Sequence, residues 1–370
     1  TPAVAYLVGK YGCAAGVMIS ASHNPCEYNG IKIFQSTGYK LPDETEEKIE
    51  AIILDKNYEI KTKIGGEVGK RIYCKTAVED YINHVVSVAE VRFDGLNIAI
   101  DTANGSASVC AKEIFTRLGA KCHMLSDTPN GVNINLNCGS THPEELMAFV
   151  KANKLDLGVA FDGDADRMLA VDENGNLVDG DKIIAICAAQ MKQGGKLAKN
   201  TAVVTVMSNM GFFKFCEEND IKCAKTAVGD RYVLERMLQK GYNIGGEQSG
   251  HVIFLDYATT GDGELSAVKL IETIVKSGAT LGSLAKIMTV YPQVLINVPV
   301  TPQGKLKYNN DEYIISAVQE AEMDLNGDGR VLVRVSGTEP LVRVMLEGKN
   351  IEQITKLGNQ IAEVVKERLS

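Results

Sequence analysis

The stretch 16-GVMISASHNPCEYNGIKIF-34 begins as a strand and then stops being one. Val17, Met18 and Ile19, with the small Ser20, have the character of an ordinary buried strand, whereas Ser22, His23, Asn24 and Pro25 cannot extend a central one. Lys32 follows closely behind. A strand that delivers a serine, a histidine and a lysine to its tip is placing chemistry there, not filling a core. Three more polar loops, each following or interrupting apolar strands, lie further along the chain: 161-FDGDADR-167, 245-GGEQSGH-251 and 334-RVSGTEP-340.

Between these loops, strand-like and helix-like segments alternate, the pattern of α/β units with largely parallel sheets. The first block adds a helix opened by Pro42 and Asp43, with Ile49, Ile52 and Ile53 on its apolar face. The second starts at the strand Leu96–Ile100 and ends with the aspartate-rich loop, and the third runs from the helix after Asp181 to a helix over 262–276. The last segment differs in order: strand, helix, two strands and a closing helix. The expectation is therefore α/β: consecutive related α/β domains with mixed sheets around a central cleft, plus a smaller C-terminal α+β domain. The boundaries fall at residues 1–75, 76–178, 179–291 and 292–370.

At 370 residues the chain exceeds what one core usually serves. Lys plus Arg total 39 against 47 Asp plus Glu, a net charge of −8, which argues against general nucleic-acid or membrane-surface binding. Anions must then be met by local basic residues. Nine cysteines without a CxxC pair read as reduced core residues of a cytoplasmic protein. No apolar run is long enough to span a bilayer and no leader pattern is present. The chain opens at Thr1 without Met, inside helix-like sequence, so an amino-terminal part of a longer protein is expected to precede it.

Asp162, Asp164 and Asp166 stand at i, i+2 and i+4, which in an extended segment turns all three carboxylates to one side. Such crowding is unfavourable without a cation, and hard oxygen donors suit Mg²⁺. An EF-hand would share this spacing, with Glu173 at its twelfth position, but Arg167 stands where glycine is required and the flanks read as strands. The plain alternative is a solvated acidic turn. A second run, Asp324, Asn326, Asp328 and Gly329, imitates a calcium loop but has Val335 at the twelfth position and reads as a helix-to-strand turn.

Alone, Ser22 before Asn-Pro is a turn residue. Beside His23 and Lys32 it has what a phosphorylated or nucleophilic serine needs, a base and a cation for phosphoryl oxygens. The G-x-S-x-G elbow of hydrolases is absent. In the third loop Glu247 and Ser249 offer an acceptor and a donor to neighbouring sugar hydroxyls, and His251 is a proton-transfer candidate whose default role is structural. In the fourth, Arg334, Ser336, Gly337, Thr338 and Arg343 combine guanidinium forks, hydroxyls and a glycine turn suited to a phosphate; a strand hairpin with exposed arginines is the alternative.

Taken in order, "ISASHNPxxxNGIKIF", "FDGDADR", "GGEQSGH" and "RVSGTEP" resemble the four signature loops of the α-D-phosphohexomutase superfamily, over essentially the whole chain. Gln248 makes the bacterial phosphoglucosamine mutases the most similar branch. The resemblance implies that Ser22, with Ser20 as runner-up, is the phosphoserine. It implies Mg²⁺ on Asp162, Asp164, Asp166 and a phosphoserine oxygen of Ser22. Arg167 would be a phosphate neighbour, Glu247 and Ser249 the grip on the sugar hydroxyls, and Lys32 and His251 the acid/base pair, with His23 supporting the serine loop. "VGDRYV", 228–233, resembles a loop near the substrate, although Asp230 and Arg231 suit a helix start equally well.

The implied activity is interconversion of glucosamine 6-phosphate and glucosamine 1-phosphate through a bound glucosamine 1,6-bisphosphate, feeding amino-sugar and cell-wall precursor synthesis. The alternatives are a phosphomannomutase/phosphoglucomutase and a non-catalytic sugar-phosphate-binding relative. The expected partner is a small phosphosugar, with a homodimer as a further candidate and neither nucleic acid nor membrane. Family members begin with a further Gly-rich, Arg-containing loop, so a chain lacking it is expected to bind sugar phosphate weakly or to be inactive.

Overall fold

The computed structural model describes residues 1–55, 58, 59, 61–336 and 339–370. Two units form, one from residues 1–207 with 219–287 and one from 208–218 with 288–370.

The first unit opens with α1 (Pro2–Lys10), which backs a two-stranded antiparallel ribbon of β1 (Ala15–Ile19) and β2 (Ile31–Gln35). Here the structure corrects the sequence reading. β1 alternates between half-buried and exposed residues; Val17 is 56 % exposed, and Ile19 and Ile31 are each 70 % exposed. The ribbon is covered on one face only, where Met18 and Phe34 pack with Val4, Ala5 and Val8 of α1. Its register sets Met18 opposite Lys32, so both ends of the polar loop are fixed by strand pairing. Then comes α2 (Asp43–Leu54), entered from Pro42 with three acidic residues in the first turn, which suit the helix N-terminus.

After α3 (Ala77–Ser87) a five-stranded sheet is built from β3 (Asn97–Asp101), α4 (Ala111–Arg117), β4 (Lys121–Leu125), α5 (Glu144–Asn153), β5 (Leu157–Phe161), β6 (Met168–Val171) and β7 (Leu177–Val178). The strand order is β4-β3-β5-β6-β7, parallel among the first three and antiparallel from β5 onward. Every residue of β5 and β6 is buried, which is why both read as unbroken apolar runs. The loop joining them carries the three aspartates, so its flanks are strands, and the calcium-loop alternative fails as expected.

Next, α6 (Gly180–Gln193), capped by Asp179, leads to β8 (Thr201–Thr205). The helix α7 (Met210–Glu218) belongs to the second unit, and β9 (Lys222–Thr226), α8 (Asp230–Lys240), β10 (Ile244–Gly246) and β11 (Val252–Phe254) return to the first. These strands form a mixed sheet in the order β11-β10-β8-β9, in which only β10 and β11 run antiparallel. The helix α9 (Gly263–Ser277) buries nearly every residue of its first three turns against β5, β6, β11 and α6. Asp262 caps it, its carboxylate accepting from Leu265 N. A short α10 (Leu281–Leu284) closes the unit.

In the second unit, β12 (Gln293–Pro299), α11 (Pro302–Lys307), α12 (Glu312–Leu325), β13 (Gly329–Val335), β14 (Leu341–Gly348) and α13 (Ile351–Leu369) make an antiparallel sheet of order β12-β14-β13 covered by α12 and α13. Its core includes Val298, Val342, Val344, Leu346, Ile354 and Ile361. The mimic of a calcium loop is the turn from α12 into β13, with Asn326 in the left-handed region at φ +45°. Among the described residues no helix is long and apolar enough to cross a membrane. The expectation of buried cysteines holds for Cys110, Cys138, Cys187 and Cys216 but not for Cys13 and Cys74, which are exposed; spacing alone does not report burial.

Candidate active site

The serine loop hangs from the β1–β2 ribbon. Ser22 adopts a left-handed conformation (φ +56°), and its amide donates to Ser20 Oγ at 3.0 Å. Ser20, the runner-up nucleophile, is thereby a support for Ser22. The Ser22 hydroxyl donates to Asp162 Oδ2 at 2.8 Å, across 140 residues of sequence. His23 lies on the exposed rim, and burial of its ring together with the Arg167 guanidinium pushes its pKa down, leaving it neutral at pH 7.

Asp162, Asp164 and Asp166 are buried, and one carboxylate oxygen of each lies within 4.8 Å of the others. They converge through a tight turn, not an extended segment: Ala165 is left-handed (φ +58°) and its amide donates to Asp162 O at 3.1 Å. The loop is tied down by Ser106 N to Gly163 O (2.9 Å) and Gly263 N to Ala165 O (2.9 Å). Arg167 N donates to Asp162 Oδ1 at 3.2 Å, and its guanidinium Nε stands 3.9 Å from Asp166 Oδ1.

Lys32 Nζ binds Asp164 Oδ2 and lies 2.9 Å from Asp166 Oδ2. Burial opposes its charge, but Asp166 and Asp164 outweigh that and push its pKa up to about 12. Lys32 is therefore a fixed ammonium, suited to neutralise charge or donate a proton and not to abstract one. Burial, then Asp166 and Asp164, push Asp162 up to about 7. Asp164 is held below the usual carboxylate range by Lys32, and Asp166 by His251 and Lys32, both against the effect of burial. Asp164 Oδ1 and Asp166 Oδ1 are buried without a hydrogen-bond partner. These two oxygens without a hydrogen bond, of which Asp166 Oδ1 is faced only at ion-pair distance by Arg167 and His251, lie beside a third carboxylate, and such a donor set fits a hard divalent ion.

The third loop joins β10 to β11 and rests on the exit of the aspartate loop: Met168 N donates to Gly250 O at 3.0 Å. Gly250 (φ +93°) has no room for a side chain, since a Cβ would stand 2.4 Å from Met168 O. Glu247 accepts from Gly229 N at 3.1 Å, Gln248 donates to Asp179 Oδ2 at 3.1 Å, and Ser249 is exposed. His251 is buried, with Nδ1 3.7 Å from Asp166 Oδ1 and Nε2 3.5 Å from Asp230 Oδ2. Burial lowers its pKa, but Asp166 and Asp230 prevail and raise it. Asp230 opens α8, and its carboxylate also faces His251 while pairing with Lys40. The sequence reading missed Lys40, which no spacing ties to Asp230. It also missed Asn135, whose Nδ2 donates to Ser22 O and Asn24 O at 2.9 Å each.

In the second unit, strand pairing sets Arg334 directly opposite Arg343. Like charges so placed repel each other, and burial together with Arg343 lowers the pKa of Arg334. Arg343 Nη2 donates to Glu339 Oε2 at 2.9 Å while its buried Nε has no partner. Ser336 is buried and its Oγ accepts from Glu339 N at 3.3 Å. Gly337 and Thr338 lie outside the described residues.

With fold and loops in place, comparison with known proteins assigns the class. The chain matches the phosphoglucomutase/phosphomannomutase alpha/beta/alpha domain I over residues 1–59, domain II over 79–175, domain III over 179–291 and the C-terminal domain over 295–364. It belongs to this family, the phosphohexomutases, which are phosphotransferring enzymes with four domains, the last one small. Its branch is that of the phosphoglucosamine mutases. The phosphoglucosamine mutase of Clostridium novyi (strain NT) is 52 % identical over 369 residues, covering 100 % of this chain and 82 % of that protein. That of Ruminiclostridium cellulolyticum is 52 % identical over 370 residues with the same coverage. Among solved structures, the N-acetylphosphoglucosamine mutase of Aspergillus fumigatus in complex with GlcNAc-6P and magnesium has a TM-score of 0.69 at 19 % identity, covering 100 % of this chain and 92 % of that one. A variant of that protein, in complex with glucose 1,6-bisphosphate, has a TM-score of 0.66 at 18 % identity and covers 99 % and 92 %. At these identities the likeness concerns the fold.

Proposed function

We propose that this chain interconverts glucosamine 6-phosphate and glucosamine 1-phosphate by way of phosphorylated Ser22 and a bound glucosamine 1,6-bisphosphate. The observation that carries the reading is the 2.8 Å hydrogen bond from Ser22 Oγ to Asp162, one of three buried carboxylates that lie within 4.8 Å of one another. Asp162, Asp164 and Asp166, with an oxygen of phosphorylated Ser22, would hold Mg²⁺, which when bound neutralises phosphoryl oxygens. The division into domains at 1–75, 76–178, 179–291 and 292–370 belongs to the same reading.

In the forward half-reaction the bond from Ser22 Oγ to phosphorus breaks and one forms from phosphorus to a sugar hydroxyl oxygen, whose proton leaves toward a nearby base. Ser22 Oγ, released as an alkoxide, takes up one proton in exchange and becomes again the hydroxyl that meets Asp162. His251 is the candidate base: its pKa is raised too, by Asp166 and Asp230, so it accepts the proton only in its neutral form, whereas Lys32 stays an ammonium. Lys32 and Arg167 then face the charge spread over the transferred phosphoryl oxygens, and protein catalysis amounts to position and charge. Glu247 and Ser249 orient the sugar through its hydroxyls. Arg334, Ser336, Gly337, Thr338 and Arg343 hold the phosphate that is not reacting, the anion that two opposed arginines call for. When the bisphosphate turns end for end, its other phosphate returns to Ser22.

The test is a coupled assay with glucosamine, mannose and glucose phosphates, together with intact mass of wild type and Ser22→Ala. The expected result is preferred turnover of glucosamine phosphate, with a phosphoryl adduct of wild type that Ser22→Ala lacks. Preferred turnover of mannose or glucose phosphate would reassign the substrate. An adduct that survives Ser22→Ala would end the proposed mechanism.

A further inference from the structure

The serine loop is held from outside by a residue that takes no part in the chemistry. Asn135 lies between β4 and α5, is 6 % exposed, and spreads its two Nδ2 hydrogens over Ser22 O and Asn24 O at 2.9 Å each. Its own backbone is anchored elsewhere. Asn135 is left-handed (φ +57°) and its amide donates to Ala103 O at 2.9 Å, while Ala103 N is held by Asp101 Oδ1 at 2.9 Å at the end of β3. The Asn135 amide therefore links the end of β3, an interior strand of its sheet, to the serine loop.

Two further observations give this link a purpose. Asn135 Oδ1 is buried and finds no partner, so the side chain satisfies only the serine loop, and flipping the amide would press Oδ1 against two carbonyl oxygens. Beneath the contact lies Gly163 of the aspartate loop, where a Cβ would stand 2.6 Å from Ser22 O and 2.8 Å from Asn135 Nδ2. Ser22 O, the Asn135 amide and the aspartate-loop backbone are thus in mutual contact. Ser22 itself is a non-glycine residue at φ +56°, a conformation that persists only when its surroundings impose it.

We propose that Asn135 is a positioning residue for phosphoryl transfer: by clamping the carbonyls of Ser22 and Asn24 it holds Ser22 Oγ at Asp162 through both half-reactions. The proposal rests on the phosphoserine reading above. A hydroxyl that gives up a phosphoryl group and receives another must return to one place, and misplacement of about 1 Å costs on the order of 100-fold in rate.

The test compares Asn135→Asp and Asn135→Gly, both of which tolerate a left-handed backbone, with Asn133→Ala, which alters the same connection without touching the serine loop. The readouts are kcat and KM for glucosamine 6-phosphate, the rate of phosphoserine formation from glucose 1,6-bisphosphate by intact mass, and amide hydrogen exchange over residues 20–25. Both Asn135 variants are expected to lose about 100-fold in kcat and in phosphoserine formation, with KM within about twofold of wild type. Exchange over 20–25 should accelerate roughly tenfold while β3 and β5 stay protected. Wild-type kcat and exchange in both variants, or a raised KM with kcat retained, would overturn the clamp. If Asn135→Gly loses protection throughout, the isosteric Asn135→Asp decides. Should wild type turn over no sugar phosphate, the functional reading falls, and exchange over 20–25 still decides whether Asn135 holds the loop.

Discussion

Lys32 occupies the position that decides how the three aspartates coexist. Its ammonium is the one side-chain cation bonded to both Asp164 and Asp166 among the described residues. In Lys32→Met, burial no longer competes with that ammonium and the carboxyl pKa values rise. Raised carboxyl values mean that stability is greatest at low pH and falls as pH climbs through them. Lys32→Met should therefore lose about 3 kcal/mol at pH 8 without divalent ion, regain part of it near pH 5, and regain more with Mg²⁺ than wild type does. Thermal unfolding across pH, with and without Mg²⁺, checks this. Wild-type stability at pH 8 would show that the ammonium is dispensable.

Glu264 makes the opposite case, a carboxyl without a side-chain ion pair among the described residues. It is fully buried at the start of α9 beside Cys110 Sγ (3.1 Å) and Asp262, with Tyr81 OH on Asp262 at 3.0 Å. Burial, then Asp262, push its pKa from 4.5 up to about 8. Its folded-state value lies above its unfolded one, so stability is lost as pH rises from about 5 to 8 and levels off beyond. Glu264→Gln should flatten that decline and raise the thermal midpoint at pH 8 by a few degrees, whereas an unchanged slope would place the proton elsewhere.

At the scale of elements, loops meet where side chains are missing. Gly105, after β3, and Gly163, between β5 and β6, lie back to back, and a Cβ on Gly105 would stand 2.4 Å from Gly163 O. Since neither backbone can yield freely, Gly105→Ala should cost about 2 kcal/mol and displace the aspartates it supports. Urea unfolding and Mg²⁺ titration calorimetry should show lower stability and weaker binding together. Stability lost with unaltered Mg²⁺ affinity would mean that the aspartate loop does not follow Gly105. On β13 and β14 the opposed arginines supply the other elemental prediction. Arg334→Ala should raise KM for the sugar phosphate about 10-fold or more with kcat nearly kept, because the lost contact binds ground and transition states alike. A fall in kcat alone would assign Arg334 to the chemistry.

Across the whole molecule, the sequence made the four polar loops legible because residue type and spacing are local. Serine beside histidine, three alternating carboxylates, and arginines on paired strands announce their chemistry before any fold is known. Strand character was readable in β5 and β8 for the same reason, since strands covered on both faces are apolar throughout. β1 misled because Val17 and Ile19 are as apolar as a core strand although their ribbon is covered on one face only. Likewise the aspartates converge through a left-handed Ala165, which alternation does not foretell.

By itself, then, the sequence determined which chemical groups this protein possesses and the order in which its elements carry them. Only the tertiary structure decided that Ser22 meets Asp162, that Asn135 holds the serine loop, and that Glu264 is sealed from water. Those are contacts between residues far apart along the chain. They arise from packing several elements at once, a condition that no local spacing of residues expresses.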